Sequence, residues 1–198
     1  MKILGVTGTI GSGKSLFCSY LREFGATVID ADKLAKSIMV EDEQVRKQIT
    51  ETFGQDAYHA DGSLNRTYLA EEAFAKGRSE ELNKIVHPAV NSSTKNLAEI
   101  ARNEGKPLFV KEAALLLHNG RGKEYDHIVW VQSDLSSRIE RVQQRDGIDV
   151  NQVLSRNEKQ KQLSEVAALI DEIVINDGTK EQLKKKARTV FDRLVSVE

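Results

Sequence analysis

The segment Gly8-Thr9-Ile10-Gly11-Ser12-Gly13-Lys14-Ser15 follows directly on the apolar run Ile3-Leu4-Gly5-Val6. After it come Leu16, Phe17, Tyr20, Leu21 and Phe24 at helical spacing, closed by Gly25. A strand, a glycine loop and a helix in that order constrain the chain to an α/β layer with the loop at a strand's carboxyl end. Glycines at 8, 11 and 13 let the backbone curl round an anion with its N–H groups inward, where side chains would collide. Lys14 adds a mobile charge for β and γ phosphates and Ser15 a hydroxyl for Mg²⁺, while the helix points its N-terminal dipole at the same anion. Thr9, Ile10, Gly11, Ser12, Gly13, Lys14, Ser15 and Leu16 are therefore the candidate binding set for a nucleoside triphosphate, ATP being the expected one.

Further strands are expected at Ala26–Ile29, closing on Asp30-Ala31-Asp32, and at Leu108–Val110, Ile128–Gln132 and Ile173–Ile175, the last two short, β-branched and preceded by acidic residues. Five strands with helices between them read as a parallel sheet covered on both faces. About eighty residues separate the second and third strands, far more than a crossover needs, so a helical insertion is expected there. Its last helix is expected to start at Pro88, to carry Val90, Thr94, Leu97, Ala98 and Ala101 on one face, and to end at Gly105. Within the insertion, His59-Ala60-Asp61-Gly62-Ser63 reads as an exposed turn.

Between the fourth and fifth strands Ser133 is the expected cap of a helix with Leu135, Ile139 and Val142 on its apolar stripe. Arg138, Arg141 and Arg145 line an adjacent stripe and share one edge. Asp149 and Gln152 form a capping-box-like pair that opens a polar segment, Asn151 to Gln162, carrying Arg156; with little apolar face to dock, it is expected to move. A closing helix is expected from Thr179, with Gln182 as capping partner and Leu183, Ala187, Val190 and Leu194 inward; Lys184-Lys185-Lys186 lie on its solvated face.

The 198 residues suffice for one α/β domain with inserted parts. A net charge of −1 with 30% charged residues gives no electrostatic support for a nucleic-acid or membrane partner. No apolar stretch approaches the roughly 20 residues of a membrane span, and Met1-Lys2-Ile3 leads into the first strand, so a cytoplasmic protein is expected. Cys18, the single cysteine, excludes an intrachain disulfide and reads as a small packed or surface thiol. No feature fixes an oligomeric state.

Triphosphate binding suits a kinase, a GTPase switch or an ATPase motor. An Asn-Lys-x-Asp guanine box is absent, since Asn157-Glu158-Lys159-Gln160 lacks the order and the aspartate, and no transport-ATPase signature occurs. A kinase acceptor hydroxyl needs a carboxylate beside the cradle, at a strand's carboxyl end, to orient it and take its proton. Asp30 and Asp32 stand there; Asp32 otherwise fits a helix cap or turn, and Asp30 fits either catalytic support or capping. Charge building on the transferring phosphoryl group calls for cations on a closing lid, which also excludes water. The stripe of Arg138, Arg141 and Arg145 with the later Arg156 suits that role; the other reading is cations near a helix end, favoured by its dipole and by solvent.

The glycine loop together with Val28-Ile29-Asp30-Ala31-Asp32-Lys33-Leu34-Ala35 resembles the dephospho-CoA kinase family, within the P-loop kinases. The likeness continues through Phe53-Gly54, Gly62-Ser63-Leu64-Asn65-Arg66 and Leu82-Asn83-Lys84-Ile85-Val86-His87-Pro88. It then covers Arg141-Val142-Gln143-Gln144-Arg145-Asp146-Gly147, Arg156 with Gln160, and Asp171 to Gly178. This resemblance implies ATP-dependent phosphorylation of the ribose 3′-hydroxyl of dephospho-CoA with Mg²⁺, the last step of coenzyme A synthesis. It implies Asp32 as base, Arg66, His87 and Pro88 as acceptor contacts, and the arginine helix as lid. Read alone, His87 before Pro88 is a helix cap or a hydrogen-bonded structural residue.

Three departures from the family pattern stand out. Thr9 replaces a glycine, Lys36 replaces a usual His or Arg, and Ala114-Leu115-Leu116-Leu117-His118 lacks the usual proline and acidic end. The last leaves open whether Glu112 or no carboxylate supports Mg²⁺ beside Ser15.

The expected architecture is a P-loop three-layer α/β/α fold with a five-stranded parallel sheet. Residues 1–32, 107–134 and 164–198 are expected to form the core, 33–106 the acceptor-binding insertion and 135–163 the lid. The alternatives are a nucleoside or nucleoside-monophosphate kinase, and a non-catalytic regulatory module that binds ATP.

Overall fold

Ile3-Leu4-Gly5-Val6 does not alternate with polar residues, as a strand buried on both faces requires. In the computed structural model, which describes residues 1–117, 122–158, 160 and 163–196, it becomes the central strand. β1 (Lys2–Thr7) pairs in parallel with β3 (Leu108–Glu112) on one side and β4 (His127–Gln132) on the other. β2 (Thr27–Asp30) and β5 (Glu172–Ile175) flank these, giving the order β2-β3-β1-β4-β5. All five carboxyl ends therefore lie along one edge, where ligands bind in open α/β sheets.

The chain divides into two compact units, residues 1–30 with 100–198, and residues 31–99. In the first, α1 (Lys14–Glu23) and α9 (Lys180–Val195) cover one face of the sheet. Leu4, Val6, Phe17, Leu21, Val110, Val131 and Leu183 form their common core. Each such buried side chain contributes about 1.5–3 kcal/mol of transfer free energy. On the opposite face Ile128 and Trp130 pack with Tyr125, Leu117 and Val166, the last from α8 (Leu163–Val166). Cys18 is a packed thiol, and burial pushes its pKa up. α9 carries the expected reciprocal cap between Thr179 and Gln182.

The second unit contains α2 (Ala31–Glu41), α3 (Glu43–Phe53), α4 (Arg66–Ala70), a π turn over Glu71–Ala75, and most of α5 (Ser79–Asn103). Ile38, Val45, Ile49, Phe53, Leu69, Leu82, Val86 and Val90 make its core. The turn from His59 to Ser63 forms as expected: His59 N donates to Ser63 O at 2.8 Å, and Asp61 accepts from the Ser63 amide.

Several boundaries differ from the expected ones. β2 ends on Asp30, and Ala31 already begins α2, so Asp32 sits in that helix's first turn rather than at the strand end. Pro88 does not start the long helix; α5 begins at Ser79 and Pro88 lies inside it. Leu82, Val86 and Val90 form a helical stripe that is buried in the core, and this packing outweighs the hydrogen bond that Pro88 cannot make to Lys84 O. His87 and Pro88 are exposed, so water can serve the released carbonyl.

α6 (Leu135–Asp146) is capped by Asp134, whose carboxylate accepts from Ser137 N, and not by Ser133. Ser133 is buried, and its hydroxyl accepts from Arg141 at 3.0 Å. α7 (Val150–Glu158) opens with the Asp149–Gln152 pair, and Val153 is buried beneath it. It also docks through side-chain amides, which periodicity alone could not show.

Replacing Pro88 by Ala restores the missing donor at an exposed helix position. Pro88→Ala is expected to stabilise the protein by about 1–3 kcal/mol, read from the urea midpoint at unchanged slope. A lower midpoint would mean that the ring's restriction of the unfolded chain dominates.

Candidate active site

Gly8 and Gly13 bend the loop in ways that other residues cannot. Gly8 has φ 142°, and a Cβ there would lie 2.2 Å from Val131 O. Gly13 has φ 95°, and a Cβ there would lie 2.1 Å from Asn176 Nδ2. Thr9 fits, since every positive φ among the described residues belongs to glycine. Lys14 Nζ donates to Gly8 O at 2.8 Å and to Thr9 O at 3.1 Å, which places the ammonium across the loop.

Outside the loop stands Asn176, buried at the end of β5. Its Nδ2 donates to Ser12 O at 2.8 Å and its backbone N donates to Gln132 O at 2.7 Å. Arg141 adds a second brace: Nη2 donates to Asn176 O at 2.9 Å and Nη1 to Gly11 O at 3.4 Å. The loop is thus held largely by its carbonyls; Ile10 N and Ser12 N also donate within the chain, and the other loop amides are left for an anion.

Two carboxylates stand abreast at the sheet's carboxyl edge, because Asp30 of β2 is in register with Glu112 of β3. Ser15 Oγ donates to Glu112 Oε1 at 2.7 Å. Burial first, and then the charge of Asp30, push the Glu112 pKa up, while the Ser15 bond and the Lys14 charge pull it down. His118, at the end of the departing segment, lies outside the described residues.

The three arginines of α6 do not share one environment. Arg138 is buried, with Nε on Ser133 O at 3.1 Å and Nη1 on Asn157 Oδ1 at 2.6 Å. Arg141 braces the loop, and Arg145 is exposed. Arg145 Nε donates to Asp146 Oδ1 at 2.7 Å, and Arg156 Nη1 lies 3.6 Å from Asp146 Oδ2. These guanidinium groups, Arg145 above all, hold the Asp146 carboxyl below the usual carboxylate range. The helix turns through about 100° per residue, so 138, 141 and 145 fall within about 60° of one another; Arg145 differs because it stands in the last turn of α6.

Asp32, Arg66, His87 and Pro88 belong to the second unit, and all four are exposed. Arg66 is the first residue of α4, behind an Asn65 cap that accepts from Tyr68 N. Three residues escaped a role in the sequence reading: Asn176 as the loop's brace, Asn157 as the partner of Arg138, and Gln160 as the acceptor for Ile10 N. A polar residue directly after a β-branched strand, as in Ile175-Asn176, was the only available signal for the first.

Compared with known proteins, residues 2–182 match the family model described as dephospho-CoA kinase. The chain belongs to the dephospho-CoA kinase family. A dephospho-CoA kinase of Salinibacter ruber is 43% identical over 192 residues, covering 96% of this chain and 96% of that protein. One from Dehalococcoides mccartyi is 35% identical over 185 residues, covering 93% of each. A crystal structure of a Thermus thermophilus protein superposes with TM-score 0.78 at 30% identity, covering 98% of this chain and 97% of that one. Shikimate kinase of Acinetobacter baumannii, at 12% identity, TM-score 0.56 and 99% and 94% coverage, shares the fold alone. The expected P-loop kinase fold with a five-stranded parallel sheet is thereby established.

For this dephospho-CoA kinase family member, Gly13→Ala forces a left-handed φ on alanine and drives its Cβ into Asn176. ATP binding is expected to weaken about tenfold or more, measured by calorimetry against the wild type. Unchanged affinity would mean that the loop does not hold the triphosphate in this conformation.

Proposed function

We propose that the protein transfers the γ-phosphoryl group of ATP to the ribose 3′-hydroxyl of dephospho-CoA, giving coenzyme A and ADP. The observation that carries this reading is a braced glycine loop at the carboxyl edge of the sheet, in a chain matched to the family over residues 2–182. Within the loop from Thr9 to Leu16, the amides other than those of Ile10 and Ser12, which donate to Gln160 Oε1 and Thr9 O, bind the phosphates with the Lys14 ammonium and polarise the group in transfer. Arg141 and Arg156 serve the nucleotide, and Arg145 neutralises charge on the transferring group once the lid, 135–163, excludes water. Asp32 orients the 3′-hydroxyl and takes its proton, with Asp30 left to the strand end. The insertion, 33–106, receives dephospho-CoA, with Arg66, His87 and Pro88 as contacts.

Mg²⁺ fits the residues present. Glu112 accepts a hydrogen bond from the Ser15 hydroxyl, which leaves the hydroxyl's lone pairs for a hard cation, and both groups offer oxygen. Ser15, with Glu112 behind it, would hold the ion, which when bound neutralises phosphate charge. Because Glu112 is buried and orients Ser15, Glu112→Gln is expected to raise the Mg²⁺ concentration for half-maximal rate by about tenfold. A metal titration checks this, and an unchanged half-point would remove Glu112 from the metal's support.

Asp32→Asn is expected to lower kcat by roughly 10²-fold or more while ATP affinity stays the same. ADP release with dephospho-CoA, set against nucleosides and nucleoside monophosphates, tests the acceptor. Faster turnover of a nucleoside or monophosphate would assign the chain to that kinase class, and no turnover with any acceptor would favour a regulatory ATP-binding module.

A further inference from the structure

A backbone amide at the outer arm of the loop is committed to a residue 150 positions away. Ile10 N donates to Gln160 Oε1 at 2.7 Å. A peptide N–H can only donate, so the atom facing it must be the side chain's oxygen. Gln160 follows α7, and its own N donates to Asn157 O at 3.2 Å. Asn157 in turn accepts from Arg138, which is buried and tied to Ser133 O at the end of β4. α6 lies hard against the loop, since a Cβ on Gly11 would meet Arg138 O at 2.6 Å.

These bonds close a circuit: loop, Gln160, Asn157, Arg138, β4, and back to the loop through the sheet. Arg156 sits inside it, next to Asn157. One end of its short segment is fixed to α6 and the other to the loop. A guanidinium on a long flexible side chain loses rate when its backbone wanders, because charge stabilisation depends on placement to within a fraction of an ångström.

We infer that Gln160 is a positioning residue, whose side-chain oxygen latches the end of α7 to the Ile10 amide and so fixes the segment that carries Arg156. The inference rests on the phosphoryl-transfer reading, and it concerns a residue to which that reading gives no role. A latch acts on the transition state more than on nucleotide affinity. A neutral hydrogen bond of ordinary net strength corresponds to about a fivefold change in rate.

The test compares Gln160→Met, of equal length without the oxygen, with Gln160→Glu, which keeps it. Gln160→Met is expected to lower kcat at saturating ATP about fivefold, with KM for ATP within about twofold of wild type; Gln160→Glu keeps kcat within about twofold. In an Arg156→Ala background, Gln160→Met should cost less than about twofold, since the group it positions is gone. Equal losses in both backgrounds, or an unchanged kcat for Gln160→Met, would overturn the inference. So would a lower KM for ATP at constant kcat, which would make the side chain a plug on the loop, or a higher one, which would make it a nucleotide contact.

Amide exchange of the peptide containing Ile10, measured without nucleotide, needs no turnover. Protection about fivefold greater in wild type than in Gln160→Met is expected, and equal exchange would remove the latch.

Discussion

The bond from Asn176 Nδ2 to Ser12 O is the constraint on which the site depends. A loop that offers its amides to an anion must have its carbonyls satisfied elsewhere, and here Asn176, Arg141 and Lys14 take those of Ser12, Gly11, Gly8 and Thr9. The brace comes so close that Gly13 can carry no side chain. Because Asn176 is itself anchored to Gln132 at the end of β4, the sheet sets the loop's shape before any ligand arrives. Preorganised dipoles of this kind need not reorganise as charge develops, which is where such a site gains its rate.

The same edge sets the electrostatics. Parallel register puts Asp30 beside Glu112, and the Ser15 hydroxyl and Lys14 charge offset part of the cost of burying the latter. The cluster therefore combines a cation, a hydroxyl and two carboxylates within one unit, while Asp32 opens the next. The fold supplies this separation directly, because the chain leaves β2 at Asp30 and enters α2 at Ala31.

Local signals were legible in the sequence. The strand cores, the loop, the Thr179–Gln182 box and the Asp149–Gln152 pair each depend on residues within a few positions, and all of them form. Pro88 misled because a proline's local preference for a helix start was set against a stripe of apolar residues whose partners lie on other helices. Ser133 misled for a similar reason: its neighbour Asp134 is as good a cap, and Arg141 claims the serine. The bonds that shape the site could not be read, since Ser15 reaches 97 residues to Glu112, Ile10 reaches 150 to Gln160, and Ser12 is held from 164 away. What the resemblance added was the acceptor, on which the loop is silent.

Donor chemistry thus resides in a loop fixed by the sheet, and the proposed acceptor is dephospho-CoA. Phosphorus NMR of the reaction of the purified protein with ATP, Mg²⁺ and dephospho-CoA tests that claim most directly. A new phosphomonoester resonance, coupled to the ribose 3′ proton and growing in step with ADP, is expected. Inorganic phosphate in its place, or a monoester on any other acceptor carbon, would contradict it.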